Sequence, residues 1–221
     1  MKLLIQAITK FLLGFLLVAL LVFLPAGTIW FAKGWLLMGL LFVPMFIAGL
    51  VMLVKSPAFL AKRLDAKEKQ ATQKGVVAFS GLIFLAGFVI AGLDYRFGWS
   101  VMPLPVTVAA SVLFVIAYIL YAEVMRENAY LSRTIQVQEG QTVVDTGLYG
   151  IVRHPMYSAT ILLFLMIPLV LGSWYALIPF AFYPVIIAIR LLDEEKLLTR
   201  ELAGYSEYKK KVRYRLIPFV W

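Results

Sequence analysis

Charge divides this chain into long apolar runs. Residues from Phe11 to Ala32, Gly34 to Val54, Gly75 to Leu93 and Phe97 to Ala122 are almost free of acids and bases. Each run is long enough for a helix rising about 1.5 Å per residue to cross a hydrocarbon layer of roughly 30 Å. A fifth run, from His154 to Ile189, holds 36 residues without an acid, a lysine or an arginine, too many for one ordinary pass. Pro168, Gly172, Ser173 and Pro179 interrupt it, which predicts two short helices that turn back on each other. Lipid leaves a spanning segment to satisfy its own backbone polar groups. The expectation is therefore all-α: a polytopic membrane bundle of about six spans, the last two forming a hairpin.

Composition agrees, with 62% hydrophobic and 15% charged residues where soluble domains carry about a quarter charged. The basic residues orient the bundle. Lys2, Lys10, Lys55, Lys62, Arg63, Lys67, Lys69, Lys74, Arg126, Arg133 and Arg153 fall on one side, against Lys33 and Arg96 on the other. The excess of lysine and arginine marks the cytoplasmic side, so a multi-pass protein with both termini in the cytoplasm is expected. The net charge of +9 follows from that topology and from attraction to anionic membrane lipids, and nucleic acid is not an expected partner. The first span is longer than a cleavable signal and precedes further spans, so it is expected to remain as an anchor. The chain has no cysteine and one histidine. That excludes disulfides, a thiolate nucleophile, prenylation of the chain itself and a metal centre built on cysteine or several histidines.

One structural domain with two unlike parts is expected. Residues 1–122 read as scaffold, spans one to four; residues 123–221 read as a catalytic region with a cytosolic loop, the helical hairpin and a C-terminal interfacial segment. Ser56 to Leu64 reads either as an interfacial helix with Phe59, Leu60 and Leu64 toward lipid or as a solvated loop. Span four continues past the surface through Glu123, Arg126, Glu127 and Tyr130, where the acids can pair with Arg126 or Arg153. Residues 134–146 carry β-branched side chains around Gly140 and read as an extended or hairpin-like loop, the candidate lid.

The polar residues that remain gather at the hairpin's mouth. Arg153-His154-Pro155 precedes a helix with proline in its first turn, and a helix start flanked by arginine and histidine suits a carboxylate or phosphate. The same residues can instead anchor the span at headgroup level. At the hairpin's other end Arg190 and Glu194 share a helical face, within the acidic cluster Asp193-Glu194-Glu195. That cluster can hold the amino group and hydroxyls of a nucleotide-like cofactor, or pair with Lys196 and Arg200. Tyr205 and Tyr208, followed by a basic run, suit an interfacial segment or a direct role.

The order Gly147-x-Tyr149-x-x-x-Arg153-His154-Pro155-x-Tyr157, apolar hairpin, Arg190-x-x-x-Glu194-Glu195-x-x-Leu198, Tyr205-x-x-Tyr208-x-x-x-Val212 and Arg215-x-x-Pro218 resembles the isoprenylcysteine carboxyl methyltransferase family. The resemblance covers roughly residues 125–221; related phospholipid methyltransferases share the Arg-His-Pro and Glu-Glu elements. It implies a helical membrane fold in which S-adenosylmethionine binds on the cytosolic side and a lipidic or prenylated acceptor enters from the bilayer. Gly147, Tyr149, Arg153, His154 and Tyr157 would surround the cofactor, with Glu194 and Glu195 across the pocket. Arg190 or Arg215 would hold an acceptor carboxylate, and Glu194 or Glu127 would serve as base if the acceptor were an amine. Glu127, Tyr205 and Tyr208 fall on the substrate side.

Carboxylate O-methylation is the leading expectation, with phospholipid or lipid-amine N-methylation as its alternative. A membrane reductase on a related scaffold and a transporter or scaffold without chemistry are the further alternatives. Against a transporter, no charged residue lies near the middle of any span. Acceptor identity and oligomeric state are not encoded in these patterns.

Overall fold

A computed structural model describes residues 1–64, 71–132 and 134–221. Among the topogenic bases, Lys67, Lys69 and Arg133 lie outside the described residues. The helices are α1 (Lys2–Ala26), α2 (Ala32–Lys55), α3 (Pro57–Leu64), α4 (Ala71–Phe97), α5 (Leu104–Glu127), α6 (Pro155–Leu171), α7 (Trp174–Phe180), α8 (Tyr183–Glu201) and α9 (Tyr205–Lys211). A 3-10 turn, Gly147–Gly150, precedes α6. Among the described residues there is no strand.

Among the described residues, five stretches are long and apolar enough to cross a membrane: Lys2–Ala26, Ala32–Lys55, Gln73–Phe97, Leu104–Glu127 and Trp174–Glu201. With the shorter apolar α6, they form the polytopic helical bundle that the runs predict. Leu12, Leu16, Leu20, Ile47, Leu82, Ile119 and Val185 point outward, more apolar surface than a water-facing fold tolerates.

The hairpin turns at one place. Gly172 adopts φ 78 and caps α6 in the left-handed region, and the Ser173 hydroxyl accepts from Ala176 N to start α7. Pro168 and Pro179 sit inside α6 and α7, so of the four expected breakers only the glycine–serine pair reverses the chain. Glycine reaches that φ without the Cβ penalty. The turn is stapled to the end of α4, where Asp94, 2% exposed, accepts from Ser100 N at 2.7 Å, from Ser100 Oγ at 2.6 Å and from Ser173 Oγ. Trp30, Trp35, Phe97, Trp99 and Tyr175 are exposed along this part of the bundle, as an aromatic belt would be.

Close approach rests on small residues. A Cβ on Gly87 would lie 2.3 Å from the Phe180 ring, and one on Gly92 would lie 2.6 Å from the Val22 carbonyl oxygen. The core around them comprises Val22, Phe42, Phe88, Phe114, Leu163, Ile167 and Phe180.

The mouth end departs from expectation in two elements. In α3, Leu60 is buried and Phe59 packs beside Val124, Leu131 and Tyr149, so the apolar face covers protein rather than lipid. The helix is drawn inward by Lys62 Nζ, 2.6 Å from Gln138 Oε1, and by Arg63, which donates to the Tyr121 hydroxyl. In α9, Tyr205 and Tyr208 are both buried, packed with Leu202 and Val212, while Ser206, Glu207, Lys210 and Lys211 face outward.

Candidate functional site

His154 is the N-cap of α6 and Pro155 takes its first turn, where the missing amide hydrogen is not needed. The amides of Arg153 and His154 donate to the carbonyls of Tyr214 and Arg215, each at 2.9 Å. This short pairing folds the C-terminal segment back against the hairpin mouth.

A buried carboxylate knots the three pieces together. Glu195, 4% exposed, accepts from Arg153 Nε at 2.6 Å and Arg215 Nε at 3.0 Å, and its Oε1 lies 3.3 Å from His154 Nε2. Arg153 Nη1 also donates to the carbonyls of Val212 and Arg213, each at 2.8 Å. The anion expected at this helix start is thus supplied from within the chain. Burying such a group is tolerable only because every charge has a partner.

The neighbouring acids are divided among different partners. Glu194 accepts from the Tyr157 hydroxyl. Tyr157 in turn accepts from Arg190 Nε at 3.1 Å. Arg190 Nη1 donates to Gln73 Oε1 at 3.0 Å, and Gln73 Nε2 donates to Asp193 Oδ2 at 2.7 Å. Arg190, Asp193 and Glu194 of α8 are therefore engaged by α4 and α6.

These groups open onto one cleft of about 840 Å³, its open mouth included, lined by Tyr149, Arg153, His154, Tyr157, Arg190, Glu194, Tyr205 and Tyr208. Leu197, Leu198 and Leu202 supply an apolar wall, and Thr134, Ile135, Gln136 and residues 141–144 supply the roof. The roof is irregular and turns at Gly140, φ 70, whose carbonyl accepts from Tyr130 Oη at 3.0 Å. Lys211 Nζ, 2.6 Å from Asp145 Oδ2, ties its end to α9 and holds the Asp145 carboxyl below its usual range.

Four of the expected site residues, Glu127, Gly147, Glu195 and Arg215, lie off the lining. Glu127 turns its carboxylate onto the 3-10 turn, accepting from Leu148 N at 3.1 Å, and a Cβ on Gly147 would fall 1.6 Å from Glu127 Oε1. Gly147 therefore shapes the turn that carries Tyr149. Arg215 faces Glu195 and stacks over the Trp221 ring at 5.2 Å. Glu195 itself sits behind the wall. Two residues were not anticipated: Gln73, and Asn128, whose Nδ2 donates to Tyr149 Oη at 2.9 Å. In the sequence Gln73 is one polar residue at the edge of an apolar run, with no spacing that ties it to Arg190.

Burial dominates the tyrosine electrostatics. The Tyr149, Tyr205 and Tyr208 hydroxyls are all pushed up by desolvation, Tyr205 further by the charges of Glu195 and Glu194. They stay neutral at physiological pH and act as hydrogen-bonding surfaces; Tyr208, for instance, donates to the Tyr149 carbonyl at 2.7 Å.

The chain is similar to the Delta(14)-sterol reductase TM7SF2 of Mus musculus, 32% identical over 93 residues that make 40% of this chain and 22% of the reductase. It thus spans about a fifth of that relative's length. Residues 106–200 match the Isoprenylcysteine carboxyl methyltransferase (ICMT) family. The matched residues form most of α5, the hairpin and most of the cleft lining.

Proposed function

We propose that the chain is an S-adenosylmethionine-dependent methyltransferase acting on a lipid-borne acceptor, by O-methylation of a carboxylate of isoprenylcysteine type. One observation carries the reading: His154, Tyr157, Arg190 and Glu194 line a single cleft within the segment that matches the ICMT family. The basic residues of the sequence put this cleft at the cytoplasmic leaflet.

The cleft suits the cofactor's chemistry. Glu194 and the tyrosine rings offer anionic and π surfaces to a cation, and Leu197 and Leu198 offer an apolar wall to a flat base. Tyr149, His154, Tyr157 and Glu194 would hold it, while the Arg153–Glu195 knot and Gly147 keep the wall in shape. When bound, S-adenosylmethionine supplies an electrophilic methyl group on a positively charged sulfur.

An acceptor carboxylate is already ionised at neutral pH, so no residue need remove a proton. The chain's task is placement, which by itself can supply several kcal/mol of a barrier, roughly 7–11 in favourable cases. Arg190 is the better orienting group, because it faces the cleft whereas Arg215 is turned onto Glu195. The roof of residues 134–146 keeps water from the reacting groups. A lipid amine would require a base; Glu194 is then the candidate, since Glu127 is directed at the Leu148 amide.

Binding of radiolabelled S-adenosylmethionine to the detergent-purified chain tests the reading. His154→Ala and Glu194→Gln should weaken it by about tenfold or more, while Ser111→Ala, remote on α5, should not. No binding at saturating cofactor ends it. Labelled methyl groups incorporated into lipid extracts distinguish the products, an ester being released by base and an N-methyl group retained. The similarity to a sterol reductase supports a second reading, a membrane reductase, for which NADPH and not S-adenosylmethionine should raise the melting temperature.

A further inference from the structure

We infer that Asn128 is a positioning residue that makes the Tyr149 hydroxyl a hydrogen-bond donor to an uncharged acceptor atom of the cofactor's adenosine, a ring nitrogen or a ribose oxygen; this rests on the reading above. Asn128 closes α5. Its backbone N–H donates to the Val124 carbonyl at 3.1 Å, and its backbone then leaves the helix at φ −117. Its Oδ1 accepts from Tyr130 N at 2.9 Å, the local turn that asparagine side chains favour. That bond settles which end of the side-chain amide is which, because a backbone N–H can donate only to the oxygen. Nδ2 is left for the Tyr149 hydroxyl, 2.9 Å away.

The sense of this bond decides the chemistry. A phenol has one proton to give and cannot aim it at a donor, so Tyr149 accepts from Asn128 and directs its own proton elsewhere. Among the described residues nothing takes that proton, and Asn128 and Tyr149 both line the cleft. The ring is held in place, packed with Val124 and Leu131 while the Tyr149 carbonyl accepts from Tyr208. Burial raises the hydroxyl's pKa, and the charges of Glu194 and Glu127 raise it further, so the proton is present at physiological pH. The same two carboxylates select the partner. They would repel an anionic acceptor such as a lipid carboxylate, whereas a neutral nitrogen or oxygen meets no such penalty.

A simple staple between α5 and the 3-10 turn would show the same distances, so the test must read the direction of the bond. Binding of S-adenosylhomocysteine, of NADPH and of N-acetyl-S-farnesylcysteine to the full chain in detergent is measured by titration calorimetry. Tyr149→Phe should weaken S-adenosylhomocysteine by about tenfold and leave the farnesylcysteine within about twofold. Asn128→Asp keeps an acceptor for Tyr130 N but offers the phenol a carboxylate oxygen, which draws the Tyr149 proton away from the ligand. It should also weaken S-adenosylhomocysteine by about tenfold. Asn128→Ala leaves the phenol free to turn either way and should lose less, about threefold; a staple requires the reverse order, since only alanine removes the bonds. Added to Tyr149→Phe, Asn128→Asp should change affinity by no more than about twofold. Native-like binding by Asn128→Asp, a greater loss in Asn128→Ala, a full further loss in the phenylalanine background, or an effect of Tyr149→Phe on the farnesylcysteine alone overturns the assignment and leaves the methyltransferase reading standing. A native chain that binds neither S-adenosylhomocysteine nor NADPH overturns both. A native chain that binds NADPH and not S-adenosylhomocysteine, with the same losses, keeps Asn128 in this role and removes the methyltransferase reading.

Discussion

Arg153 and Glu195 meet out of solvent, Nε 2.6 Å from Oε1, and through that contact α6, α8 and the C-terminal segment share one anchor. Arg153→Ala leaves the Glu195 carboxylate buried with fewer partners. Removing one member of a buried pair costs about 3–5 kcal/mol, so thermal unfolding in detergent should shift down by several degrees. A shift no larger than that of Arg126→Ala, whose pair with Glu123 is exposed and screened by solvent, would show that the knot does not hold the fold.

Gly147 faces an obstacle on both of its degrees of freedom. Its φ is 51, and a Cβ would collide with Glu127 Oε1 at 1.6 Å. Gly147→Ala should destabilise by about 2 kcal/mol or more, from backbone strain and overpacking together. Adding Glu127→Ala should recover the collision and leave the strain, a non-additivity readable in a double-mutant cycle. Simple additivity would mean that the carboxylate moves aside freely.

The hairpin depends on α4 receiving Phe180 against bare backbone. Gly87→Ala and Gly92→Ala put a methyl group 2.3 Å from the Phe180 ring and 2.6 Å from the Val22 carbonyl. Both should lower the melting temperature, Gly92→Ala the more, because a backbone carbonyl cannot rotate away. Gly39→Ala has nothing within 4 Å and should be neutral or slightly stabilising, as alanine favours helix over glycine by about 1 kcal/mol.

Alkaline pH should loosen the wall made by the C-terminal tyrosines. Burial raises the Tyr205 and Tyr208 hydroxyls above their ordinary value of about 10. Below that value both folded and unfolded chains keep the protons, and the full stability is present. Above it the unfolded chain releases them first, so stability falls as pH rises. Tyrosinate absorbance should show these groups ionising only as the cleft opens, with that phase reduced in Tyr205→Phe. Their titration near pH 10 in the intact protein would contradict the burial.

The sequence by itself determined the membrane class, the spans and the hairpin, because hydrophobic length and uninterrupted helical hydrogen bonding are local quantities. It also pointed to the polar residues near His154 and Glu194, which line one cleft, since polar residues in so apolar a chain stand out by contrast. It did not determine how the acids divide their partners. Glu194 and Glu195 are adjacent on the chain, yet one carboxylate lines the cleft and the other is buried behind it, because successive helical residues point about 100° apart and only packing says what each meets. For the same reason Gln73 was invisible: its partners lie 117 and 120 residues away. Only the tertiary structure turned α3 and α9 inward, because their apolar faces found protein to cover before they found lipid.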